Sequence, residues 1–301
     1  MGTGPVDVPS GVRRFGVLVE SLHGVGHYGP EIRVFDDVGV HGWWRAYFAY
    51  RSAPLGAVGP AVVAAVFYGF AERMVARALP NVWTKVSPER ALALRAGAVD
   101  AAWRRIFADV VGDRAFEASV TEAAELAEVA LGGLDVGARP LSAAHLALDR
   151  PATPHMRLWH AATVLREYRG DGHALALAAA GVDPVECQVL MVARGHGNAA
   201  TMQRIRGWEA DELAAAAERL VARGWLDEAG AFTEAGAQGR AAIEEHTDRL
   251  AAGPVARLGV EGAARFEALV APLRAALHGP GGIPEQWPPP HVVVGDGPAG
   301  S

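Results

Sequence analysis

Between His160 and His173 the chain gathers ionisable groups that could act together, among them His160, Arg166, Glu167, Asp171 and His173. Histidine changes charge near neutral pH, a carboxylate can orient it, and an arginine can hold an anionic group. Those are the parts of acid–base catalysis without a cofactor. His160 and Glu167 are seven residues apart, so on a helix they project about 20° from one another. The run Arg169-Gly170-Asp171-Gly172-His173 adds two glycines among three ionisable residues. The pattern predicts a helix end that delivers these groups to a shared space. His160, Glu167, Asp171 and His173 are the catalytic candidates, and Arg166 is a ligand contact. The plain alternative is a satisfied core histidine beside an Arg166–Glu167 ion pair, since ionisable clusters are often structural. A two-histidine, one-carboxylate metal centre is open geometrically, but no spacing rule singles it out, so no metal is assigned.

The elements that must position these groups follow. Thr153 suits an N-cap and Pro154 the first helical position. Leu158, Ala161, Ala162 and Leu165 then form one packing stripe, with Trp159 and Tyr168 flanking the polar face. Gly170 is expected to end the helix and allow a sharp turn.

The best candidate for an opposing wall is GWWRAYFAYR, Gly42 to Arg51, which offers Trp43, Tyr47 and Arg51. Aromatic groups beside an arginine at a helix end suit a ligand pocket, although plain packing would use the same residues. In HGVGHYGPE, His23 and His27 have the i,i+4 spacing of a metal pair on a helix. Gly24, Gly26 and Gly29 weaken a helix there. The first helix is therefore expected over Gly11–Leu22, followed by a loop that brings His23 and Tyr28 to the pocket.

The chain has 301 residues, a formal net charge of -6, one cysteine and one lysine, Lys85. The charge argues against a generic polyanion binder. A single cysteine excludes an intramolecular disulfide and a cysteine-based zinc site, and the apolar neighbours of Cys187 suggest a buried, inert thiol. No basic segment followed by an apolar core opens the chain, and no apolar run suits a bilayer, so the expected compartment is the cytoplasm. Walker, dinucleotide, HExxH and GxSxG motifs are absent.

The rest reads as helix after helix: Pro60–Leu79, Ser87–Val111, Arg114–Leu131 and a short one near Leu141. The fold class is mainly α. Residues 11–171 form a helical domain, 172–278 a winged-helix-like domain, and 279–301 a flexible Gly/Pro-rich tail. In the second domain short helices lead to Glu209–Arg223. Two short strands around a turn follow, over residues 224–233, and then a further helix. That is the order of a winged helix-turn-helix with a small β-hairpin wing.

The expected recognition helix lacks the charge to read DNA. Across 209–230 the acids are Glu209, Asp211, Glu212, Glu218, Asp227 and Glu228, against Arg219 and Arg223. Phosphates would repel this surface. Arg204 and Arg206, just before it, are the counterweight.

RLVARGWLDEAGAFTEAGAQ resembles the recognition helix and wing of MarR-type regulators. LHGVGHYGPEIR, GWWRAYFAYRSAPLG, VFYGFAERMVARALP and LWHAATVLREYRGDGH resemble an uncharacterised actinobacterial family labelled helix-turn-helix proteins. That likeness spans about residues 15–250. It implies an all-helical N-terminal part fused to a winged helix, and it carries no catalytic residues.

We therefore expect a small-molecule-binding protein of actinobacterial biosynthesis, an acid–base enzyme needing no cofactor, with a winged helix that does not bind DNA. The alternatives are a ligand-responsive MarR-like transcription regulator and a scaffold protein that forms a homodimer through the winged helix. The first reading implies a small-molecule substrate as partner, and neither DNA nor a membrane.

Overall fold

The computed structural model describes residues 8–284. The tail beyond Pro284 lies outside the described residues. The described residues are mainly helical: α1 (Val8–Tyr28), α2 (Trp43–Ser52), α3 (Pro60–Phe67), α4 (Glu72–Ala76), α5 (Pro88–Ile106), α6 (Arg114–Leu131), α7 (Pro140–Leu146), α8 (Pro154–Ala179), α9 (Pro184–Ala193), α10 (Ala199–Arg206), α11 (Ala210–Ala222), α12 (Glu234–Leu250) and α13 (Ala252–Leu277). Short 3-10 turns fill several connections. No single helix among them is long and apolar enough to cross a membrane.

Helix starts obey local chemistry. Proline occupies the first turn of α3, α5, α7, α8 and α9, where a missing N–H costs nothing. Ser87, Asp113, Asp183, Asn198 and Thr233 accept backbone N–H groups as N-caps. Thr153 holds the cap position of α8 with extended backbone but makes no side-chain bond there.

Helix α8 is the central strut, packed by α1, α5, α6, α7 and α12. Its burial is not a single stripe. Met156, Leu158, Trp159, Val164 and Leu165 are buried, and so are Thr163, Glu167 and Asp171. A helix covered on all sides shows little amphipathic pattern. It does not stop at Gly170 but continues to Ala179. The glycines serve close packing instead: a Cβ on Gly172 would lie 2.7 Å from Arg139 Nη1. Arg139 uses that space to donate to the Leu250 carbonyl (2.8 Å) and to the Tyr168 carbonyl, which ties α7 and α12 to α8. The change of sequence pattern at residue 172 thus falls inside one continuous element.

Two further expectations are corrected. The His23–Tyr28 stretch is the last part of α1 and not a loop, because packing on α5, α8 and the 3-10 turn at Pro30–Val38 outweighs the helix cost of its glycines. The apolar run 60–79 is broken: α3 ends at Phe67, Tyr68 takes a positive φ of 50°, and α4 starts only at Glu72.

The main core lies among α1, α2, α5, α6, α8 and α13, with Leu22, Phe35, Phe48, Leu158 and Phe266 fully enclosed. A smaller core joins Leu177 of α8 to Leu190, Leu220, Leu226 and Ile243. A third holds Val185, Met202, Ile205, Leu213 and Ala216, and Trp44 of α2 packs against it.

The wing is the remaining correction. Among the described residues, 224–233 contain no strands, only one antiparallel bridge between Leu226 and Phe232. Asp227 explains why: its carboxylate accepts the N–H groups of Ala229 and Ala231, both at 2.9 Å. Pairing across the turn is limited to that bridge and two backbone bonds, Asp227 N–H to the Ala231 carbonyl (2.9 Å) and Thr233 N–H to the Trp225 carbonyl (3.0 Å). Residues 279–284 fold back on the body, with Ile283 N–H on the Leu277 carbonyl (2.7 Å) and its side chain buried.

Candidate functional site

A cavity of about 650 Å³ lies between the N-terminal helices, α8 and the α9–α12 region. That volume is in the range of sites for small organic molecules. One wall is aromatic: Tyr28 ends α1, Trp43, Trp44 and Tyr47 come from α2, and Phe67 and Phe70 from the break between α3 and α4. Trp43 stacks on Tyr47 at 4.8 Å between ring centres, and its indole N–H donates to the His27 carbonyl (3.2 Å).

Behind this wall sits the Glu167 carboxylate, 1% exposed. Arg51 Nη2 donates to its Oε1, and Arg166 Nη1 donates to its Oε2 at 2.8 Å. Arg51 also donates to the Tyr47 hydroxyl (2.9 Å), and Arg166 to Glu20 (2.8 Å). Burial alone would push the Glu167 carboxyl up, but the two guanidiniums prevail and hold it far below the usual carboxylate range. Glu167 is therefore a fixed anion and not a proton acceptor. His23 is equally buried, with Nδ1 against the Thr163 hydroxyl (3.3 Å) and Nε2 3.7 Å from Glu167. Burial first, then Arg166, His27 and Arg51, hold it neutral.

The sequence-derived candidates separate into groups. Tyr28, Trp43, Tyr47, Arg51, Arg166, Glu167 and His173 all line the cavity. His23 stands behind it, on Glu167. His160 is elsewhere. Two helical turns displace it about 10 Å along α8 from Glu167. There it donates to the His145 carbonyl (3.0 Å), beside the fully buried Arg95, whose Nη2 donates to His145 Nδ1 (3.1 Å). A shared helical face fixed direction but not height. Asp171 is also outside, accepting the Ser142 N–H (2.9 Å) at the start of α7. Burial raises its carboxyl to about 7, opposed by that hydrogen bond.

His173 reaches the cavity on its α12 side. Its Nδ1 lies 2.8 Å from the Thr247 hydroxyl. Burial lowers it to about 4, with Arg240, Arg169 and Arg194 opposing protonation and Glu244 favouring it. Cys187 lines the cavity as well, and burial raises its thiol to about 11. Among the described residues no three His, Cys, Asp or Glu side chains are grouped to hold a metal ion.

Sequence reasoning missed the lining from the other half: Gln188 and Met191 of α9, Arg206 of α10, and Glu244 and Thr247 of α12. It also missed Phe67 and Phe70, since the run around them reads as one helix. Arg206, by sequence a counterweight to the acids of α11, lies over the Phe70 ring at 4.3 Å.

The α9–α11 unit is docked. Arg73 of α4 grips both oxygens of Glu212 (2.6 and 2.7 Å) and the Gly207 carbonyl (2.7 Å). The Ala71 N–H donates to the Arg206 carbonyl (2.9 Å), and the Trp208 indole donates to the Gly69 carbonyl (3.0 Å). Gly207, at φ +78°, permits the approach: a Cβ there would lie 2.5 Å from Met74 Cβ. The turn before α11 and Glu212 in its first turn are thus anchored to segment 69–74. Its exposed face offers Ala210, Asp211, Ala214, Ala215, Glu218 and Ala222. Arg219, also exposed, is engaged by Asp183 (2.6 Å) and Glu186 (2.9 Å).

The sequence model of a helix-turn-helix family matches residues 12–284. No curated protein and no solved structure matches the chain.

Proposed function

The chain belongs to this helix-turn-helix family, and on that premise we propose a small-molecule-binding protein whose helix-turn-helix closes a ligand cavity instead of reading DNA. The carrying observation is that α9, α10 and α12 share one cavity with α1, α2 and α8. The aromatic wall suits a flat or apolar ligand body, and the Arg51–Glu167–Arg166 set gives a preorganised polar contact.

Catalysis has less support. Acid–base work needs a group that titrates near neutral pH beside the substrate. Glu167 stays ionised, His173 titrates at about 4, and Asp171, at about 7, is not in the cavity lining.

The family match favours a second reading, a ligand-responsive regulator of the MarR type. Against it stand the anchoring of the α10–α11 turn on segment 69–74, the alanine and acid surface of α11, and the acidic turn at Asp227-Glu228. Base reading needs donors, and phosphate contact needs positive charge.

The test is a titration with N-phenyl-1-naphthylamine, an uncharged aromatic probe, followed by the probe's own emission. We expect saturable one-site binding. Ala174→Trp, which fills the cavity from α8, should weaken it at least tenfold and leave the melting temperature near wild type. Unchanged affinity in that variant would place the probe elsewhere and remove the reading. Fluorescence anisotropy with duplex DNA from the upstream region supplies the other arm: sub-micromolar, sequence-dependent binding would favour the regulator.

A further inference from the structure

The α12 side of the cavity is built differently from the aromatic side. Arg13 of α1, Arg169 of α8, Arg194 at the end of α9 and Arg240 of α12 converge on two carboxylates, Glu244 and Asp248. Arg13 is 2.6 Å and Arg169 2.9 Å from Asp248. Arg169 (3.5 Å), Arg194 (3.7 Å) and Arg240 all reach Glu244. Four guanidiniums thus share two anions, with Glu245 a third, exposed acid near Arg13. Arg169, which lines the cavity, has its Nη1 buried and donating to no acceptor among the described residues. Buried donors without acceptors are costly, so such a cluster suits further anionic oxygen.

His173 adds a second requirement. The Thr247 hydroxyl donates its own hydrogen to the Ile243 carbonyl (2.8 Å). Toward His173 it can therefore only accept, so Nδ1 carries the imidazole hydrogen and donates across the 2.8 Å contact. In a neutral ring that leaves Nε2 as an acceptor. The cavity thus presents guanidinium donors for acceptor oxygens and, next to them, one imidazole acceptor for an O–H. A phosphate group carrying a proton offers both, whereas sulfate offers only acceptors.

We propose that this side, formed by Arg13, Arg169, His173 and Thr247, is a phosphate subsite taking the head group of a small organic phosphate. The guanidiniums hold its charged oxygens, and His173 Nε2 accepts from its P–OH. This rests on the ligand cavity proposed above, but its test uses a different probe.

Binding to the full chain is measured by isothermal titration with inorganic phosphate and with sulfate at matched ionic strength and near-neutral pH. We expect phosphate to bind at least tenfold more tightly than sulfate. Phenyl phosphate should bind at least tenfold more tightly again, because its ring can reach the aromatic wall. Equal affinity for phenyl phosphate and free phosphate would keep the subsite and make free phosphate its ligand. Arg169→Met should weaken phosphate at least tenfold and leave N-phenyl-1-naphthylamine affinity within twofold of wild type. If Arg169→Met fails to fold, the phosphate-against-sulfate comparison on the wild-type chain still decides. Equal affinity for phosphate and sulfate, or no phosphate binding while N-phenyl-1-naphthylamine binds, would overturn the subsite and leave the cavity reading standing. Loss of N-phenyl-1-naphthylamine binding would instead strike the cavity reading itself.

Discussion

Glu167→Gln is the most informative single change, because it keeps shape and removes charge. The wild-type carboxylate is 1% exposed and each oxygen serves a different arginine. Removing it leaves Arg51, 8% exposed on its side chain, as a buried cation with no other carboxylate contact. Arg166 keeps Glu20 at 2.8 Å and is less affected. Breaking a buried pair by deleting one partner costs about 3–5 kcal/mol. With Arg166 still paired, the lower end applies, about 3 kcal/mol. At about 2–3 °C per kcal/mol for a chain this large, the melting temperature should fall by roughly 6–9 °C. Arg51→Met/Glu167→Leu should recover part of the loss, since both charges leave together. The pH dependence has a defined sign. The folded pKa is depressed, so this stabilisation is present above the ordinary value of 4.5 and fades as pH falls below it. The gap between wild type and Glu167→Gln should therefore narrow in acid. Thermal and urea denaturation followed by circular dichroism at several pH values measure all of this. A loss below about 1 kcal/mol that also shrinks in high salt would mean a solvated pair, and the buried site would have to be abandoned.

Asp171→Asn should behave in the opposite sense. Burial raises this carboxyl from 3.8 to about 7, so its contribution is full below the lower value and is lost as pH rises through the upper one. The variant should gain on wild type between those limits and keep that advantage at pH 8, and a pH series of melting temperatures giving a constant difference would contradict it. Gly207→Ala should cost about 1–3 kcal/mol, because alanine must take a left-handed backbone and also displace Met74. A neutral result in urea denaturation would mean that segment 69–74 is not seated against the α10–α11 turn.

Much of the helical order was legible, for reasons visible at particular residues. Pro60 and Pro154 open helices in space where the sequence places their starts, and so does the Ser87-Pro88 pair. The pairing of segment 43–51 with the Glu167 face was also legible, because an arginine after an aromatic run and a carboxylate on an otherwise apolar helix each need a partner when buried. Three things were not. Periodicity gives the angle of His160 about α8 but not which neighbour stands at its level, and α7 stands there. Glycine near a helix end reads as a stop, yet Gly170 and Gly172 lie in mid-helix, where Gly172 admits the Arg139 side chain. And a strand needs a partner over several residues, which the local hydrogen bonds of Asp227 preclude in the turn after α11. The contribution of α9, α10 and α12 to the cavity had no local signature, since it depends on how one unit docks against the other.

The unbroken run of α8 has a consequence for how such a protein can be taken apart or changed. One helix supplies Leu158 and Leu165 to the main core and Ala176 and Leu177 to the second. A helix-turn-helix grafted onto a flexible tether can be exchanged for another of its kind. This one begins on a beam whose other half is built into the opposite end of the molecule. Its tilt, and with it the shape of the cavity, is set by the register of α8, so an insertion or deletion of a single residue near 170 would rotate everything beyond it by about 100°.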